Sequence, residues 1–209
     1  MSGYLVPLGE AQSEYVEKRS RFIGHIWPVS TEEEARAHIE EMKKRYHDAR
    51  HNCWCCRLSS GAERYSDDGE PQGTAGVPML GVFQKAGVTN LVCVVTRYFG
   101  GVLLGAGGLV RAYTQAAKDT LETAGVGQMR PWTRLAPACP YGLFEQVKLL
   151  ADKQQGVVED VAYDDAARMT LRLPAEKAEG FTSLVRELTA GSLEAQVLGE
   201  VMAPAPPET

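Results

Sequence analysis

The 209-residue chain has no run of 18–20 uncharged apolar residues, so no segment is built to cross a bilayer as a helix. Its first ten residues, Met1 to Glu10, carry no basic stretch ahead of an apolar core, so a secretory signal is not expected. Disulfide spacing is lacking too: the five cysteines (Cys53, Cys55, Cys56, Cys93, Cys139) are odd in number and form no framework, as suits a reducing compartment. Basic charge is not in excess. Lys and Arg number 22 against 27 Asp and Glu, a net of −5, which excludes a uniformly basic nucleic-acid binder but leaves room for a local basic groove. With 44% hydrophobic and 23% charged residues and no internal repeat, long disorder, a collagen-like fibre and a solenoid are all excluded. A soluble, cytoplasmic protein with no membrane partner is expected.

The acidic balance is uneven. Residues 1–128 hold 14 basic and 15 acidic side chains, and residues 129–209 hold 8 and 12. Apolar patterning divides the chain at the same place. Glu14–Arg19 and Arg21–Val29 read as strands meeting at Ser20, the second apolar on both faces and therefore buried. Thr31 and Glu34 mark the start of a helix that carries Ala35, His38, Ile39, Met42 and Tyr46 on one side. Asn52–Ser59 reads as a strand, Ser60–Gly73 as a polar loop, and Thr74 as the cap of a helix over Ala75–Ala86. Asn90–Tyr98 is a buried strand. The glycine-rich turn Gly100–Gly108 leads into a helix over Leu109–Ala124, with Tyr113 on its apolar face and Gly125 as its stop.

Gly125–Pro131 reads as a linker. Beyond it come a strand at Trp132–Ala138, a helix with Pro140 in its first turn, a hairpin of Val157–Tyr163 and Arg168–Leu173 around Asp164-Asp165, another helix, and a last strand at Leu193–Val201. The order βαββαβ is that of a ferredoxin-like domain, although Pro137 falls in a strand that this topology places centrally. The expected division is residues 1–128, residues 129–203 and a flexible tail at 204–209, in an overall α+β (α/β) fold.

Three blocks carry candidate chemistry. In Asp48-Ala-Arg50-His51-Asn-Cys53-Trp-Cys55-Cys56, the absence of a second ligand pair further along argues against zinc, and Cys55 and Cys56 point to opposite faces of one strand. In Arg64-Tyr-Ser66-Asp67-Asp68-Gly69-Glu70-Pro71, three carboxylates can hold Mg²⁺ or form a structural turn in which Asp67 or Glu70 caps a helix or pairs with Arg21, Arg50 or Arg97. The third block runs from Thr96 to Arg111 and includes Arg97, Tyr98, Gly100, Gly101, Gly105, Gly107 and Gly108. Free backbone N–H groups at the start of a helix favour an anion, and Arg21, Arg50, His51, Arg97, Tyr98 and Arg111 extend the candidate anion or nucleic-acid site. Close packing of helix on sheet is the alternative reading of the glycines. A P-loop lysine and the third Rossmann glycine are both missing, and no catalytic triad, metal or cofactor is expected.

These blocks resemble the Impact/YigZ family. The resemblance is carried by Lys18-Arg-Ser20-Arg21-Phe22-Ile23, by Asp48-Ala-Arg50-His51, by Ser66-Asp67-Asp68-Gly69-Glu70-Pro71-x-Gly73-Thr74-Ala-Gly76, and by Arg97-Tyr98-x-Gly100-Gly101-x-Leu103-Leu104-Gly105-x-Gly107-Gly108-Leu109-Val110-x-Ala112-Tyr113. It covers residues from about 5 to 200 and implies a first domain like the second domain of ribosomal protein S5. The second domain it implies is like the ferredoxin-like domains of elongation factors. Eukaryotic members regulate translation initiation through a starvation-responsive initiation-factor kinase. The extra N-terminal domain they use with their partner has no counterpart here, so that role is not carried over. The expectation is a non-enzymatic factor that binds RNA or the ribosome. A protein-interaction module ranks second. An enzyme handling a small phosphorylated molecule through the Gly100–Gly108 loop, with Asp67, Asp68 and Glu70 on Mg²⁺, ranks third.

Overall fold

The computed structural model describes residues 3–163, 167–191, 193 and 195–205. The turn expected at Asp164-Asp165 and the end of the expected tail, residues 206–209, lie outside them. The chain forms two compact units, Met1–Met129 (joined by the chain from Pro204) and Arg130–Ala203.

The first unit is built on an antiparallel sheet of five strands: β2 (Ala11–Glu17), β3 (Ser20–Pro28), β4 (His51–Arg57), β5 (Glu63–Ser66) and β6 (Leu91–Tyr98), in the order β2-β3-β6-β4-β5. Strands β3 and β6 are apolar on both faces because the sheet is covered on both sides. Phe22, Ile26, Cys53, Cys55, Cys93 and Val95 pack under helices α2 (Gly76–Ala86) and α3 (Gly105–Ala124). Trp27, Cys56, Val92 and Val94 pack under α1 (Glu32–Arg45). Cys55 and Cys56 accordingly fall in different cores, and all five cysteines are free and buried.

Helix α1 starts as the sequence predicts: Thr31 Oγ1 accepts from Glu34 N at 3.1 Å, and the Glu34 carboxylate accepts from Ser30 N at 2.7 Å. Helix α2 does not. The Thr74 hydroxyl turns back to donate to Pro71 O, and the N–H groups of Ala75 and Gly76 donate instead to Asp67 Oδ1, at 3.0 and 2.8 Å. Helix α3 begins at Gly105, one turn before Leu109. β5 lies within the stretch expected to be only loop. The short strand β1 (Leu5–Pro7) pairs with residues Val126–Gln128, which turns the expected linker into the first part of a long strand, β7 (Val126–Cys139).

The second unit contains the rest of β7, α4 (Phe144–Lys153), β8 (Val157–Tyr163), β9 (Ala167–Pro174), α5 (Ala175–Leu188) and, up to Ala203, β10 (Ala195–Ala205). The strand order β10-β7-β9-β8 is the ferredoxin-like arrangement. Leu135, Cys139, Met169 and Leu171 from the sheet bury against Phe144, Val147, Phe181 and Val185 from the helices. Pro137 is accommodated without a bulge. Pairing skips Ala136 and Pro137, yet Leu135↔Leu171 and Ala138↔Arg168 keep one register. Strand β10 continues to Ala205, past the expected end at Val201.

Candidate functional site

Alternation along β6 sorts the candidate residues. Leu91, Cys93 and Val95 face α2 and α3, so Arg97 does as well, whereas Val92 and Val94 face α1 and carry Tyr98 with them. The pairing His51↔Arg97 between β4 and β6 sets His51 beside that arginine. The acidic loop then closes over both. Arg97 Nη1 donates to Glu70 Oε1 at 2.7 Å, with side-chain exposures of 8% and 3%. Tyr113, from the apolar face of α3, donates its hydroxyl to the same oxygen at 2.9 Å, and Cys53 donates its thiol to Tyr113 Oη. Burial first, then the neighbouring Cys53 and Glu70, push the Tyr113 phenol well above its ordinary range, so it stays protonated and donates.

The other two loop carboxylates also accept hydrogen bonds within the protein. Asp67 accepts from Gly73, Ala75 and Gly76 N–H groups, and Asp68 accepts from Asn52 N at 2.6 Å. Desolvation pushes the Asp67 carboxyl up, but the three backbone hydrogen bonds outweigh it and leave its pKa lowered. Among the described residues no group of three or more His, Cys, Asp or Glu side chains is placed to hold a metal.

Above Glu70 and Arg97 opens a cleft of about 330 Å³, lined by Arg50, His51, Phe99 and the first turn of α3 at Leu104–Ala106. His51 Nδ1 donates to Asp68 O at 2.7 Å, so in the neutral ring Nε2 is the acceptor. Nε2 lies 3.9 Å from Glu70 Oε2. Arg97 Nε is buried with no hydrogen-bond partner, and its guanidinium lies 5.5 Å from the Phe22 ring centroid and 5.6 Å from that of Phe99. The 20-residue helix α3 has no side-chain cap at Leu104, so the positive end of its dipole and its first N–H groups border the same cleft.

Other candidates lie elsewhere. Arg21 pairs with Glu14 at 2.9 Å on the α1 side, near the Tyr98 ring, and Tyr98 donates to Asp48 at 2.8 Å. Arg111 lines a separate depression with Lys18 and Lys118. Gly100 is required by packing, since a Cβ there would run into the Arg19 carbonyl. Gly101 and Gly105 adopt φ of +84° and +70°, and Gly107 and Gly108 lie within the helix. Sequence reasoning left out Ser20 and Phe99. Ser20 Oγ accepts from Arg97 Nη2 (3.4 Å) and Gly100 N (3.2 Å), a pairing that only the β3–β6 register discloses.

Comparison with known proteins identifies this architecture. Residues 18–121 match the Impact N-terminal domain, and residues 138–192 match a domain of unknown function, DUF1949. The IMPACT family member YigZ of Escherichia coli is 32% identical over 96% of this chain and all of its own length. YvyE, an IMPACT family member of Bacillus subtilis, is 33% identical over 91% of this chain and 89% of its own. Protein IMPACT of Mus musculus is 30% identical over 43% of this chain and 30% of itself. A crystal structure of a protein described only as hypothetical superposes with a TM-score of 0.60, at 32% identity, covering 95% of this chain and 98% of the other. Two-domain relatives aligned along nearly their whole length place this chain in the IMPACT family.

Proposed function

We propose that this protein is a non-enzymatic cytoplasmic factor linked to translation, and that the cleft over Arg97 receives a phosphate of RNA, free or in the ribosome. The observation that carries the proposal is the buried, unpartnered Nε of Arg97 in a cleft bordered by Arg50 and the uncapped start of α3. A phosphodiester oxygen supplies what each of these groups lacks: an acceptor for N–H donors and a negative charge at a helix N-terminus. Glu70 keeps Arg97 from carrying a bare buried charge when the cleft is empty. Magnesium-dependent chemistry gains no support from Asp67, Asp68 and Glu70, whose oxygens serve backbone, arginine and tyrosine partners.

Co-sedimentation with ribosomes and with bulk RNA tests the proposal. Binding is expected to weaken steeply between low and moderate salt and to be lost in Arg50→Glu. Equal binding at both salts contradicts it. A protein partner is the second reading, favoured by Leu103, 83% exposed, beside the exposed Val102 and Phe99 at the mouth of the cleft. A pull-down that survives nuclease treatment selects that reading.

A further inference from the structure

We propose that the turn Lys18-Arg19 is a second docking element for an RNA phosphodiester chain, continuing the cleft across the start of α3; the inference rests on the phosphate reading of that cleft. Strands β2 and β3 pair Glu17 with Ser20, which leaves Lys18 and Arg19 as a two-residue hairpin loop. A two-residue loop with positive φ at both positions, the type I′ turn, favours Asn-Gly, because ordinary side chains are strained there. Here both positions hold long cationic residues, with φ of +45° and +67°.

The strained turn is also fixed in place. Gly100 packs directly against the Arg19 backbone, and Ser20, the next residue, accepts from both Gly100 N and Arg97 Nη2. The turn is thereby joined to the arginine at the base of the cleft. On the other side of Leu104, a residue that borders both hollows, lies a depression of about 390 Å³ lined by Lys18, Arg111 and Lys118 with the polar Tyr15, Thr114 and Gln115.

Cationic charge is in excess there. Among the described residues, Lys18, Arg19, Arg111 and Lys118 form no ion pair, in contrast to Arg21, Lys43, Arg57, Arg64 and Arg97. The facing carboxylate, Glu17, accepts from Tyr15 Oη at 3.1 Å, and Asp119 accepts from Gln115 at 2.7 Å. Four cations without ion pairs, against the two carboxylates Glu17 and Asp119, among hydroxyl and amide groups, fit a sugar-phosphate chain passing over the start of α3.

The double substitution Lys18→Asn/Arg19→Gly separates binding from folding, because it installs the residues that the turn geometry prefers. The expected result is an equal or higher Tm. Affinity for a labelled single-stranded oligouridylate falls on the order of tenfold at 0.1 M salt, and the slope of log affinity against log salt becomes shallower by about 1.4. Unchanged affinity and slope in this variant, with binding still lost in Arg50→Glu, overturn the turn's role and leave the cleft reading standing. Wild type that binds neither oligouridylate nor ribosomal RNA overturns both readings. Tighter, salt-sensitive capture of polyglutamate than of oligouridylate overturns RNA as the occupant.

Discussion

Arg97 and Glu70 form a buried ion pair at 2.7 Å, and that single contact joins the strand-and-glycine block to the acidic loop. Removing one partner leaves a charge without solvent or counter-ion. Glu70→Ala is expected to cost about 3–5 kcal/mol, and the paired replacement Glu70→Leu/Arg97→Met far less, because no orphan charge then remains. Urea denaturation of the two single variants and the double variant measures the difference.

Asp67 is the acceptor that starts α2. Asp67→Ala is expected to cost about 0.5–2 kcal/mol. Because its pKa is lowered in the fold, ionised Asp67 favours the folded state above its ordinary value of 3.8, and that contribution is lost as pH falls through the folded value. Thermal melts from pH 7 down to 3 should show a shallower acid limb in Asp67→Asn than in wild type.

His25 gives a second pH dependence at higher pH. Its ring stacks on Trp27, and Nε2 lies 3.0 Å from the Tyr46 hydroxyl. Burial first, and then Arg45, push its pKa from 6.5 down to about 4. The unfolded chain therefore binds a proton that the folded chain refuses. Stability is expected to fall as pH drops from about 6.5 towards 4, and His25→Gln should flatten that fall in Tm-versus-pH curves.

The cysteines are packing residues. Burial pushes the Cys56 thiol up to about 11 and raises those of Cys53, Cys55 and Cys93 as well. Folded protein at pH 8 is expected to take up a thiol reagent only at the rate of opening, whereas urea-unfolded protein labels at all five positions.

Much of the fold is legible where the pattern is local or strongly periodic. The two-faced apolar runs of β3 and β6 announce a sheet covered on both sides, and Thr31 with Glu34 announces the start of α1. Elements that owe their existence to distant partners are not legible. β1 and the first part of β7 pair across more than a hundred residues, and β5 is a four-residue edge strand in a polar stretch. At the start of α2 the adjacent Thr74 is not the cap; Asp67, the other residue offered as a helix cap, reaches Ala75 from eight residues away, and only the folded loop decides between them. In the candidate site, Arg50, His51, Arg97 and Gly105 come from separate blocks and line one cleft together with Glu70 of the acidic loop. Tyr98 could have been set apart from the sequence alone, since neighbours on a strand face opposite ways.

The most direct test of the cleft as a phosphate site is the affinity of full-length protein for a single-stranded RNA, followed from 50 to 200 mM salt in wild type and Arg50→Glu. A phosphate seated over Arg97 beside Arg50 predicts a linear loss of log affinity with log salt in wild type, and markedly weaker binding with a shallower slope in the variant. Affinity that is flat with salt, or identical in the two proteins, contradicts it.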